Sequence, residues 1–104
     1  MTELPAGRKL DVRIADEIFG ILFDGPPPAF STDIAEAWLV VEKVALLSAL
    51  DTFYVRRGAY RYEAGWEEED VDDRGHVFYR NRLRVEAATA PHAICLAALK
   101  AVHA

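Results

Sequence analysis

Residues 28–50, PAFSTDIAEAWLVVEKVALLSAL, decide how the chain is read. A polar triplet, Ser31-Thr32-Asp33, stands before the longest apolar-rich run in the sequence. Each of the three offers a side-chain oxygen to the free N–H groups of a first helical turn. Asp33 with Glu36 fits a D-x-x-E capping box, whereas a Ser31 cap lets Phe30 staple onto Ala35. On a helical projection Val40, Lys43 and Leu47 fall nearest Glu36, with Leu39 and Leu50 flanking, so the polar stripe is narrow and interrupted. The opposite side carries Ile34, Trp38, Val41, Ala45 and Ala49. The expectation is a central helix with its Trp38 side in the core; a helix apolar all round is either covered on two sides within the fold or used in an oligomer, with Val40, Leu47 and Leu50 as the candidate contact.

Upstream, Asp24-Gly25-Pro26-Pro27-Pro28 is a firm break, because three prolines remove three backbone donors and fix φ. The run reads as a stiff linker between two helices. Before it, Leu10, Ile14 and Ile18 recur four apart, with Ala15 and Phe19 widening the stripe, which predicts a helix from about Gly7. Arg8, Lys9, Asp11, Arg13, Asp16 and Glu17 fill the solvent side. Gly20 stands where a left-handed C-cap is useful. Ile21-Leu22-Phe23 reads either as a last helical turn or as a buried crossing segment. Residues 1–6 are expected to be a flexible tail.

Downstream the period changes. Thr52 to Arg57 is rich in β-branched and aromatic residues and predicts a strand. Gly58 marks a turn or bulge, and Ala59 to Tyr62 resumes strand character. Residues 63–75, EAGWEEEDVDDRG, carry seven carboxylates and one arginine and read as an exposed acidic loop. From His76 to Ala87 the pattern alternates. Val77, Tyr79, Leu83, Val85 and Ala87 fall on one face, with Phe78, Arg80, Arg82, Arg84 and Glu86 on the other. Asn81 falls on the apolar face, which predicts a bend there. Thr89 and Pro91 open a last, alanine-rich helix. The fold expected is a single α+β domain over residues 1–104, in the order α-α-β-β-(β)-α, its helices packed on a small, mainly antiparallel sheet.

The net charge of −5 argues against a generic grip on long nucleic acid, which needs a basic surface. Cys95 is the sole cysteine, so no internal disulfide forms; mid-helix among apolar neighbours it reads as a buried, inert thiol. No window approaches a membrane span. These features lead to an expected cytoplasmic location.

Two constellations carry the functional expectation. Arg56, Arg57, Arg61, Arg80, Arg82 and Arg84 are half the basic residues of the chain, all in predicted strands. Guanidinium forks bind phosphate, and Tyr54, Tyr60 and Tyr62 nearby offer rings for stacking a base. The blander reading makes these arginines the wet face of the sheet, neutralising the acidic residues beside them. Glu67, Glu68, Glu69, Asp70, Asp72 and Asp73 form the second set, a candidate surface for a basic protein partner. Their spacing does not match an EF-hand, so neither a metal nor another cofactor is expected. No catalytic triad or Cys-His spacing is recognisable.

Three blocks, GRKLDVRIADEIFG, FSTDIAEAWLVVEKV and ATAPHAICLAALKAV, together resemble the phage ABA-sandwich domain, a family of small phage and prophage proteins. The STDI-x-x-AW core and the TAP-x-AICLAAL ending are the distinctive parts. The resemblance implies an α/β/α sandwich-like arrangement, a sheet between helical layers, and no defined catalytic residues. The section from Asp51 to Glu86 departs from the family pattern and is where a member-specific function is expected. The leading expectation is a non-enzymatic accessory protein in the cytoplasm of an infected bacterial host. It would counter a host defence component by capturing a signalling nucleotide or inhibiting a protein. The alternatives are a metal-dependent, phosphodiesterase-like hydrolase and a structural component that only oligomerises.

Overall fold

Helix α3 (Ala90–His103), rather than the stretch after Pro28, is the element around which the others pack. In this computed structural model the structure describes residues 4–21, 23–47 and 52–103, with the side chains of Leu47, Asn81 and Arg82 outside that set. An unbroken run from Ala93 to Leu99 is buried, with Ala101 beyond it. A helix apolar all round has to be covered on more than one side. Its alanines at 93, 97, 98 and 101 let neighbouring backbones approach closely, while Ile94, Leu96 and Leu99 fill the space between. Each of these larger side chains contributes about 1.5–3 kcal/mol on burial. Cys95 is fully enclosed. Burial, reinforced by the charge of Asp11, pushes its thiol well above the ordinary range, so no thiolate nucleophile is present at neutral pH.

One face of α3 lies on a three-stranded antiparallel sheet of order β1-β2-β3, formed by β1 (Thr52–Arg57), β2 (Tyr62–Val71) and β3 (Val77–Ala87). Its other side meets α1 (Arg8–Ile14), the π-helical turn Ala15–Phe19 that continues α1, and α2 (Ile34–Leu47). The α+β class and the element order are as expected. The layers run sheet, α3, then the remaining helices, so among the described residues the sheet is an outer layer with one open face. No described helix is long and apolar enough to cross a membrane.

The first helix buries Leu10, Ile14, Ala15 and Ile18, as their spacing predicts. It ends at Gly20, which takes the left-handed conformation (φ 68°, ψ 27°) that a side chain would strain. Ile21 and Phe23 are exposed and outside any helix, so neither is part of a helical turn or a buried crossing; Leu22 between them lies outside the described residues. Phe30 stacks on Phe19 at 5.2 Å between ring centroids, inclined by 11°.

Asp33 caps α2, accepting hydrogen bonds from the N–H groups of Ala35 (2.9 Å) and Glu36 (3.2 Å). Ser31 has a different task. It is buried and donates both its N–H (2.8 Å) and its hydroxyl (2.6 Å) to Oδ1 of Asp11, while its Oγ accepts the N–H of Gly7 (2.9 Å). Asp11, read from its position as a solvent-side residue, is itself buried. The pair fastens the start of α1 to the approach of α2.

The orientation of α2 reverses the expectation. Ala37, Val40 and Val44 are fully buried, whereas Ile34, Trp38, Leu39 and Leu46 are exposed. Val40 is therefore core and unavailable as an oligomer contact; the side chain of Leu47 and all of Leu50 lie outside the described residues. Both flanks of this helix are apolar, and packing against the small residues of α3 favours compact, β-branched valines over the indole. Trp38 instead meets Phe53 edge-on at 5.8 Å, and Phe53 meets Trp66 at 4.9 Å.

Two histidines tie the chain ends of the helical layer. Nε2–H of His92 donates to the carbonyl of Leu4 (2.9 Å), since a carbonyl can only accept. Nε2 of His103 lies 2.6 Å from Oε1 of Glu17, whose Oε2 also takes Nε of Arg13 at 2.6 Å. The Arg13 hydrogen bond, opposed by burial and aided by His103, holds the Glu17 carboxyl below its ordinary value of 4.5. A depressed folded value means that the stabilisation is present above 4.5 and fades as pH falls through the folded value. Glu17→Gln is expected to cost about 0.5 kcal/mol at neutral pH, the scale of a solvent-facing pair. In urea unfolding the gap to wild type should close in acid; an equal gap at both pH values contradicts this assignment.

Candidate anion-binding site

Strand β2 spans Tyr62–Val71 and so contains most of the segment read as an acidic loop. The connection itself is confined to residues 72–76. Asp72 organises it by accepting the N–H groups of Arg74 (2.9 Å) and His76 (2.8 Å) on Oδ1, with Gly75 at φ 81°. Thr52, the first residue of β1, lies opposite Glu67, and past it β2 and β3 pair, among the described residues, as a two-stranded ribbon that carries the carboxylates. Residues 69 and 71–80 of this ribbon are exposed and residues 68 and 70 half-buried. With solvent reaching both faces, no apolar alternation is required there.

A bulge beside this junction also changes how β3 is read. Trp66 pairs with Leu83 and Glu67 with Asn81, so Arg82 is the extra residue. Leu83, Val85 and Ala87 face α3, as predicted, but beyond the bulge the parity inverts. Val77 and Tyr79 share the face of Glu67 and Glu69, while Phe78 and Arg80 share that of Glu68 and Asp70. The predicted single apolar face of β3 is thus split in two at the bend expected near Asn81.

The acidic set divides accordingly. Glu68 and Asp70 lie on one face of the ribbon, Glu67 and Glu69 on the other, and Asp72 and Asp73 in the turn. Asp70 pairs with Arg80 (2.9 Å), whose guanidinium also lies 5.5 Å from the centre of the Phe78 ring. Among the described residues no three Asp, Glu, His or Cys side chains gather into a metal-binding group.

The open face of the sheet brings part of the arginine set together. Tyr54 and Arg56 project from β1, Glu63 and Gly65 from β2, and Arg84 and Glu86 from β3, all on the side away from α3. Glu63 is buried between two guanidinium groups, 2.6 Å from Nη2 of Arg56 and 3.6 Å from Nε of Arg84. A carboxylate withdrawn from water needs such partners. The Arg56 guanidinium stands 5.5 Å from the centre of the Tyr54 ring. Tyr54 in turn lies over Gly65, where the absence of a Cβ makes room for it.

At the end of this face the β1–β2 connection closes with Gly58 N–H donating to the Arg61 carbonyl (2.7 Å). A cleft of about 390 Å³ opens there, lined by Arg56, Tyr60, Arg61, Tyr62, Glu63 and Glu86 together with Gly58 and Ala59. Tyr60 is 96% exposed. Counting Arg84 behind Glu63, three guanidinium groups stand against two carboxylates, so the local balance is positive on a chain of net charge −5.

Of the predicted ligand residues, Arg56, Arg61 and Tyr60 therefore share the cleft, with Tyr54 and Arg84 adjoining it. Arg57 falls on the opposite face of β1, and Arg80 lies on the ribbon, committed to Asp70. Arg82 belongs to β3, but its side chain is outside the described residues. Reasoning from sequence missed Glu63 and Glu86. Alternation sets Glu86 on the face of Arg84, but only the strand register brings Arg56 and Glu63 to the same face.

A family model for the phage ABA-sandwich domain matches residues 22–99, about three quarters of the chain. The chain belongs to the phage ABA-sandwich domain family. Searches of curated proteins and of solved structures return no match. Membership places the chain among small phage proteins. In this ABA-sandwich protein the matched span includes α2, the whole sheet and most of α3, so the candidate site lies inside the family domain.

Proposed function

We propose that this ABA-sandwich protein is a non-enzymatic binding protein that captures a nucleotide at the β1–β2 end of its open sheet face. The reading rests on one observation, the cleft in which Arg56, Arg61, Tyr60 and Glu86 converge. Guanidinium groups suit the phosphate, and the exposed ring of Tyr60 suits stacking on a base. The carboxylate of Glu86 is an acceptor for ribose hydroxyl or base N–H groups. That mixture fits a discrete nucleotide better than a long polyanion, which the acidic chain as a whole repels. In the cytoplasm of an infected bacterium such a protein would lower the free concentration of a host signalling nucleotide and blunt the defence that depends on it.

A thermal-shift panel of cyclic and linear nucleotides tests this. A ligand present at about a hundred times its Kd stabilises by about 2.7 kcal/mol, which at about 4–5 °C per kcal/mol for a domain of this size raises Tm by about 10–15 °C. Arg61→Ala is expected to abolish the shift, whereas Arg80→Ala, outside the cleft, leaves it intact. No shift with any nucleotide sinks the proposal.

The ribbon supports a second reading, inhibition of a host protein. Val71, Val77, Phe78 and Tyr79 are exposed on it beside the acidic residues. On that reading Phe78 and Tyr79, rather than Tyr60 and Arg61, are the residues whose loss removes activity.

A further inference from the structure

We propose that α2 pairs antiparallel with α2 of a second copy of this chain, across a two-fold axis near the middle of the helix. Ala35, Trp38, Leu39, Glu42, Ala45 and Leu46 are all exposed. Their spacing of three and four residues makes one continuous stripe, of the kind that seats a second helix. Leu46 is 82% exposed, Leu39 48% and Trp38 43%, with Ile34 beside them at 46%. One carboxylate, Glu42, interrupts the stripe.

Charge placement selects a second copy, and selects the antiparallel arrangement. Glu36 and Lys43 lie along one flank of the stripe, two helical turns apart, or about 10.5 Å. That is too far for an ion pair within one helix, and among the described residues neither has an ionic partner. In an antiparallel pair each flank faces its own counterpart. Centring the axis near residue 40 then sets Glu36 of each copy beside Lys43 of the other, twice by symmetry. The same register sets Ala35 against Ala45, a close approach, and Trp38 against Glu42, giving the lone carboxylate an indole N–H. A parallel arrangement would face this charged flank with the apolar one.

From those exposures the four large side chains offer roughly 400 Å² per copy, so the pair buries roughly 800 Å² in all, below the range of stable interfaces and within that of transient ones. The association is accordingly weak and concentration-dependent. It does not rest on the nucleotide reading, since α2 and the cleft lie on opposite sides of the sheet.

Sedimentation equilibrium of the full chain at high micromolar concentration is expected to show a monomer–dimer equilibrium. Leu46→Glu, at a position already exposed and so tolerated by the fold, is expected to weaken the dimer by about a hundredfold, being counted twice across the axis. Glu36→Lys and Lys43→Glu should each weaken it, and the double charge swap should restore it. Circular dichroism of the variants should stay as in wild type. A wild-type monomer, an assembly larger than two, or a dimer indifferent to Leu46→Glu overturns the proposal. Charge swaps that fail to compensate each other overturn the antiparallel pairing.

Discussion

Gly65→Ala is expected to cost at least about 3 kcal/mol, a large share of the roughly 5–15 kcal/mol that holds a domain of this size folded. Gly65 sits in the middle strand, directly before the bulge pair. A Cβ there would run into the carbonyl oxygen of Leu83 on β3 and would stand 2.9 Å from Oη and 3.0 Å from Cε1 of Tyr54. The tyrosine can swing away, but the carbonyl cannot move without pulling β3 from register. Adding Tyr54→Ala to Gly65→Ala should therefore recover little of the loss. Urea unfolding reads the result; a midpoint within experimental error of wild type would show that the strands separate more readily than their pairing implies.

The second large effect is at Asp11. Its carboxylate takes both hydrogen-bond donors of Ser31 in a buried setting. Asp11→Ala leaves the buried Ser31 N–H without its acceptor and the hydroxyl with only its longer contact to the Gly7 carbonyl (3.3 Å), and is expected to cost about 2 kcal/mol. Ser31→Ala removes one of the two bonds and leaves Gly7 N–H without Oγ, so a smaller loss of about 1–2 kcal/mol follows. Because the residues act together, the double variant should be no worse than Asp11→Ala by more than a few tenths of a kcal/mol. A double-mutant cycle measures this directly. Simple addition of the two losses would mean that the contact carries no coupling and that each residue stabilises the fold through something else.

The sequence made the fold class legible where one face of an element is wet and the other dry. Leu10, Ile14 and Ile18 announced α1, Gly20 its end, the triplet Ser31-Thr32-Asp33 the start of α2 without saying which residue caps it, and Leu83, Val85 and Ala87 the inner face of β3. It misled where that contrast fails. Helix α2 is apolar on both sides, so hydrophobic periodicity could not choose between the valine side and the tryptophan side. The ribbon is open to water on both sides, so a genuine strand from Glu67 to Val71 looked like a charged loop. At Arg82 a single extra residue inverted the parity of everything before it, a local event with no compositional mark. Asp11 escaped because an aspartate among Lys9, Arg13 and Asp16 reads as solvent-side, and its partner lies twenty residues away. In the candidate site the arginines and Tyr60 were legible as residue types suited to an anion. Which of them meet, and which carboxylates accompany them, depended on the register of three strands.

The position of α3 has a further consequence for how the molecule comes into being. During synthesis α1, α2 and the three strands leave the ribosome before the helix that all of them need. Until residues 90–103 are available the sheet has no cover for Trp66, Ala64 and Val85, and α2 has nothing to lay Val40 and Val44 against. Contacts between α3 and elements distant in sequence must therefore close late, on top of those the earlier elements make among themselves, such as Phe19 with Phe30 and Trp38 with Phe53. A newly made chain spends that interval with its apolar surfaces uncovered, and the run of charge on the ribbon is the part already suited to water.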